Sequence, residues 1–274
     1  MLEREVSRVI KGINTMDGAG VNLKRLIASP ELNMLDPFLL LDEFSSNDPN
    51  DYIAGFPPHP HRGFETITYI LNGKFRHEDS KGNKGFLEDG SVQWMTAGKG
   101  IVHSEMPEQS SGLLKGFQLW LNLPREKKFI EPTYNDIPSN KIPKINIPGG
   151  SIKIIAGSFK NIKGPGEPHT EMSFYDILLE PNKDFSISIE DEWNGFCYVY
   201  EGQLNSNKIL SNGSLGVLST KGIFQCTSGN KRSRFLLVSG EPLNEPVARG
   251  GPFVMNTKEE VLQAFEDYKL GLLG

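Results

Sequence analysis

The chain is short of cysteine. Its two, Cys197 and Cys226, lie far apart and form no CxxC. That argues against a disulfide-stapled scaffold and leads to the expectation of a reducing compartment. Basic runs are missing too. Lys127-Lys128 and Lys231-Arg232 are isolated pairs, and 29 Lys and Arg are set against 34 Asp and Glu. A nucleic-acid binder needs a basic face to neutralise phosphates, so direct nucleic-acid binding is not expected. No apolar stretch approaches the ~18 residues of a membrane-spanning helix. Charges at Glu3, Arg4 and Glu5 fall where a secretory leader would be apolar. These absences predict a cytoplasmic protein without a membrane partner.

Glycine and proline, by contrast, are plentiful. With 29 Gly and 18 Pro, turns break the chain into many short apolar runs, which predicts a mainly β protein. The 274 residues suffice for about two domains at ~150 residues each. Strands are expected at Thr66–Leu71, Lys74–Glu78, Ser91–Met95, Ile101–Glu105 and Gly116–Leu123. Further strands are expected at Ser151–Ala156, Ser173–Leu179, Phe185–Ile189, Gly195–Tyr200 and Arg234–Ser239. Asn72-Gly73 predicts a tight hairpin between the first two. Pro124–Gly150, rich in Pro, Asn and Lys, reads as a crossover between domains spanning 1–135 and 136–274. One short C-terminal helix is expected. Thr257 and Glu260 form a capping-box pattern, and Val261, Leu262, Phe265 and Tyr268 follow as one apolar face.

Two short stretches carry the chemistry. His59 and His61 are two positions apart, and so are His103 and Glu105. Residues i and i+2 of a strand point to the same face. Two such strands can therefore aim three imidazoles and a carboxylate at one point, a set suited to a divalent transition metal. Neutral imidazole and anionic carboxylate are the forms present at neutral pH. Three of the five histidines fall into this pattern, which is stronger than a lone HxH. Glu65 competes with Glu105 for the fourth position; matched parity with His103 favours Glu105. His77 is expected as a partly exposed edge histidine, and His169 as a loop residue. Phe56, Trp94, Met95 and Trp120 flank the ligand strands as core or pocket wall.

A weak internal repeat sets residues 67–75 against 196–204. The same offset sends His59 and His61 to Ser188 and Glu190, Glu65 to Asn194, and His103 and Glu105 near Arg232 and Arg234. None of these is a histidine, so a duplicated domain would keep its metal only in the N-terminal copy.

Five stretches resemble the pirin family of the cupin superfamily: 35–44 (LDPFLLLDEF), 59–66 (HPHRGFET), 93–107 (QWMTAGKGIVHSEMP), 240–247 (GEPLNEPV) and 251–257 (GPFVMNT). The general cupin pattern is met loosely, with Gly55 unusually close to His59 and Thr96 where proline is usual. The resemblance implies two jelly-roll β-barrels packed face to face. It implies iron, Fe(2+), on His59, His61, His103 and Glu105, and a C-terminal barrel without metal. Mn, Ni, Co, Cu and Zn suit the same ligand types. Family members are reported with quercetin 2,3-dioxygenase activity, and others act as regulators through protein partners.

Two expectations for function follow. One is a dioxygenase on a flavonol-like phenolic substrate, with Glu105 as general base. The other is a redox-sensing module that works through a protein partner as a transcriptional co-regulator or metabolic-enzyme regulator. Small and apolar residues around the ligands would favour the first, and a closed site under a charged surface the second. A monomer is expected, because a second barrel covers the face through which single cupins pair.

Overall fold

The computed structural model describes residues 2–273. Strands dominate, and the α-helix Lys258–Lys269 lies near the C-terminal end. The chain forms two compact units, and neither is one continuous stretch. One unit comprises Asn14–Arg25, Phe38–Ser139 and the residues from Leu243 onward; the other comprises the residues up to Ile13, Leu26–Pro37 and Asn140–Pro242. This differs at both ends from the contiguous division at 135/136 expected from the sequence. Strand pairing is the cause at the start. Val6–Ile10 lies antiparallel to Ser214–Leu218 and so belongs with the later residues. At the other end, Phe253, Ala264 and Leu273 form a buried cluster packed against Val102.

The unit holding the histidine pairs is built from two sheets. The larger runs in the order Thr133–Ile137, Val92–Thr96, Phe64–Asn72, Leu114–Asn122, Phe38–Ser46, Val21–Ile27, Ile13–Asp17. The smaller runs Phe56–His61, Ile101–Pro107, Phe75–Asp79, Lys84–Leu87. Burial follows the pleat in the smaller sheet. In Ile101–Pro107, residues Ile101, His103 and Glu105 are buried and their neighbours half-buried. Phe64–Asn72, by contrast, is buried along most of its length, because strands flank it and both its faces are covered. Phe44, Ile70, Phe75, Leu87 and Leu114 meet in an apolar cluster drawn from both sheets.

Asn72-Gly73 does not close a hairpin. Phe64–Asn72 pairs with Val92–Thr96 and Leu114–Asn122, whereas Phe75–Asp79 pairs in the other sheet. The turn carries the chain from one sheet to the other. Gly73 has φ 107°, and a Cβ there would lie 2.5 Å from the side chains of Gln109 and Leu114. Only glycine meets both conditions. The supposed crossover is also more ordered than expected: Thr133–Ile137 forms the edge of the larger sheet against Val92–Thr96.

The second unit repeats this connectivity. Its large sheet runs Lys144–Ile147, Gly150–Ala156, Met172–Leu179, Ser233–Gly240, Asn194–Glu201, Ser214–Leu218, Val6–Ile10. Its small sheet includes Asp184–Ser188, Ile223–Ser228, Gln203–Asn205 and Ile209–Ser211. Asp184–Ser188 and Ile223–Ser228 therefore take the places of the His59 and His103 strands. The constant offset misplaces the second of these, pointing at Arg232 and Arg234 instead. At the inward positions stand Phe185, Ile187, Phe224 and Cys226, all within one apolar core cluster.

Candidate metal centre

The two ligand strands are neighbours in the smaller sheet and run antiparallel. His103 stands opposite His59, and Ile101 opposite His61. The ligand atoms of His59, His61 and His103 all lie within 4.8 Å of one another. Ring centroids are 4.6 Å apart for His59 and His61, 4.5 Å for His59 and His103, and 5.1 Å for His61 and His103. The edge of His61 meets Phe64 and Trp120, which stack on each other at 4.3 Å. These aromatic walls leave the imidazole few alternative rotamers.

Hydrogen bonding sets the tautomers. His59 Nδ1 lies 2.8 Å from the Pro57 carbonyl, and His61 Nδ1 lies 3.4 Å from the Pro252 carbonyl. A carbonyl only accepts, so Nδ1 carries the proton in each ring. The two Nε2 atoms then turn lone pairs toward each other across 3.0 Å. His103 is 1% exposed, and neither of its nitrogens has a hydrogen-bond partner among the described residues. Burial pushes His61 and His103 well below the usual imidazole range, so both are neutral. Three converging imidazoles, one of them with both nitrogens unpartnered, fit a cation bound between them, and a buried polar atom without a partner is otherwise costly.

Glu105 is buried and faces the larger sheet. Its Oε1 accepts from Thr68 Oγ1 at 3.0 Å, and its Oε2 from Gln118 Nε2 at 3.1 Å. It is not one of the three residues whose ligand atoms cluster within 4.8 Å. With Thr68, Gln118, Asp42 and the rings of Phe44, Phe56 and Phe75, it lines a small cavity of about 10 Å³. Glu65 lies elsewhere. It sits in the larger sheet, and its Oε1 accepts from Thr96 Oγ1 at 2.8 Å and Trp94 Nε1 at 3.2 Å. Glu65 and Thr68 have opposite parity on their strand, so the face that meets Glu105 is not the one bearing Glu65.

His77 is not an exposed edge residue. It is 3% exposed, pairs through Nε2 with Asp136 Oδ2 at 2.9 Å, and stacks on Tyr134. Gly85 makes room for this pair: a Cβ there would sit 2.0 Å from both atoms. In the sheet His77 stands opposite Glu105. His169 falls in a bend, half-buried. Phe56 walls the cavity, Trp120 packs on His61, Met95 lies in a core cluster and Trp94 holds Glu65. Sequence reasoning missed Thr68, Gln118 and Asp136. Thr68 and Gln118 sit at inward positions of predicted strands, a signal parity could have given. Asp136 fell within the supposed linker.

A two-sheet β-barrel with converging imidazoles on adjacent strands of its smaller sheet defines a cupin with a candidate metal triad. More narrowly, this chain belongs to the pirin family: the Pirin family model matches residues 20–121, and the Pirin C-terminal cupin domain matches 174–274. A Pseudomonas aeruginosa protein provisionally named quercetin 2,3-dioxygenase is 44% identical over 281 residues, with 98% of each chain covered. A pirin-like protein of Caulobacter vibrioides is 42% identical, again over 98% of each. The crystal structure of quercetin 2,3-dioxygenase from Acinetobacter baumannii superposes with a TM-score of 0.92 at 31% identity, covering 100% of this chain and 99% of that one. The bacterial pirin YhhW from Escherichia coli, solved in complex with nickel(II), shares the fold at 21% identity and a TM-score of 0.69, covering 86% of this chain and 98% of that one. No helix among the described residues is long and apolar enough to cross a membrane.

Proposed function

We propose that the chain is a metal-dependent dioxygenase of quercetinase type, acting on a flavonol-like phenol. The observation that carries this reading is the convergence of His59, His61 and His103 within 4.8 Å, with Glu105 two residues beyond His103 on the same strand face, turned toward an aromatic-walled cavity. His59, His61 and His103 would hold the metal, and Glu105 is the fourth ligand in this reading as well as the base. Fe(2+) is the proposed ion; the nickel in the Escherichia coli relative supports a site that tolerates other divalent metals. The names borne by the Pseudomonas and Acinetobacter relatives support the substrate class.

When bound, the metal supplies Lewis-acid polarisation of an enol oxygen. Glu105 takes the proton of that hydroxyl on a carboxylate oxygen. The donors Thr68 Oγ1 and Gln118 Nε2 hold the carboxylate in place. Phe44, Phe56 and Phe75 offer apolar walls to an aryl ring and keep water out. The cavity of about 10 Å³ has room for about one water molecule, so a phenol must displace wall side chains to enter. Phe56, half-buried on the first ligand strand, is the wall residue best placed to move.

Glu105→Gln tests the base role. It is expected to keep some of the metal and to lose turnover by ~10²–10⁴-fold, the usual contribution of a positioned general base. Retained turnover would remove Glu105 from that role. The small cavity favours a second reading, in which the metal reports redox state to a protein partner. Under it, the Fe(II) and Fe(III) forms differ in partner affinity while quercetin drives no oxygen uptake.

A further inference from the structure

The turn after His61 is held from a distant part of the sequence. His61 Nδ1 faces the Pro252 carbonyl, and Val254 N–H donates to the Arg62 carbonyl at 3.1 Å. Arg62 forms an isolated parallel bridge with Phe253. The Arg62 guanidinium donates to the Lys99 carbonyl and pairs through Nη1 with Asp267 Oδ2 of the C-terminal helix at 2.7 Å. That pair is shielded, with side-chain exposures of 7% and 18%. Lys128 Nζ donates to the carbonyls of Gly63 and Val254 at 2.8 and 3.1 Å, tying both chains to one point. Contact is close enough to forbid a side chain at Gly63, whose Cβ would lie 2.0 Å from the Val254 carbonyl oxygen.

None of the residues from Pro252 to Leu273 belongs to the histidine cluster. Yet this segment supplies the hydrogen-bond partner of one candidate ligand and, through Val254 and Asp267, two of the anchors of the turn that follows it. We infer that the segment from Pro252 to Leu273 is a strap that positions His61, with the Arg62–Asp267 ion pair as its latch, and that metal affinity depends on it. The inference rests on the reading that the triad holds a metal. Groups that orient a ligating imidazole typically contribute 10–100-fold to metal affinity. Asp267 and Arg62 act through His61 and touch no ligand atom, so they are positioning residues.

The experiment measures Ni(II) affinity of the metal-free full chain for wild type, Asp267→Asn, Asp267→Glu and Arg62→Lys, beside the thermal midpoint of each apo protein. Asp267→Asn and Arg62→Lys are expected to bind Ni(II) ~10–100-fold more weakly, and Asp267→Glu to recover much of the loss. A merely structural latch would lower the apo midpoint and leave Ni(II) affinity unchanged; that result overturns the inference. Should Asp267→Asn fail to fold, Arg62→Lys, which keeps the charge but loses the planar fork, decides the matter in the same way. Wild type that takes up no Ni(II), with a correctly folded apo protein, would sink the metal reading and this inference with it. Wild type that binds while all variants bind equally well would sink the inference alone.

Discussion

An imidazole buried without a partner for either nitrogen is costly to fold, and His103 is such a group among the described residues. Its strand was easy to read, since a period of two fixes which side chains share a face. What it turns toward depends on the opposite strand, and the sequence could only suggest that. The same limit hid His77. Its partner Asp136 lies 59 residues away, on a strand that composition disguised as linker. Lys128 is a third buried polar group, and it offers a pH test. Burial lowers its ammonium from 10.5 to about 8. Between those values the unfolded chain holds a proton that the folded chain has released, so this group makes stability rise with pH across that window. Lys128→Met is expected to abolish the rise, on the order of 2 kcal/mol, in urea titrations at the two ends of the window. Equal pH slopes in variant and wild type would contradict the assignment.

At the scale of elements, the strands were legible and their partners were not. A glycine turn looks the same whether the chain returns beside itself or crosses to a facing sheet, which is why Asn72-Gly73 misled. The helix start was fully legible, because a capping box is local. Thr257 Oγ1 accepts from Glu260 N–H at 3.1 Å, and the Glu260 carboxylate accepts from Thr257 N–H at 2.9 Å. The buried face was read less well: Val261 and Ala264 are buried, whereas Leu262 is 65% exposed. Thr257→Ala is expected to cost ~1 kcal/mol of stability by denaturant unfolding. A loss below a few tenths would mean that packing against Phe253, rather than the cap, sets this helix.

The two units share one connectivity but not one chemistry. Where the first presents His59, His61, His103 and Glu105 inward, the second presents Phe185, Ile187, Phe224 and Cys226 within its core. The repeat was visible in the sequence through its central strands, and the second ligand strand slipped out of register because the intervening turns differ in length. The exchange of chain ends was invisible, since no local pattern marks Val6–Ile10 as a partner of Ser214–Leu218. Fold alone does not decide between catalyst and sensor. The direct test is to determine the metal content of anaerobically purified protein and, in the same sample, its oxygen uptake with quercetin. Near-stoichiometric metal with quercetin-dependent oxygen consumption is the predicted result. Stoichiometric metal without oxygen uptake would contradict the dioxygenase reading, and absence of metal even after reconstitution would contradict the site itself.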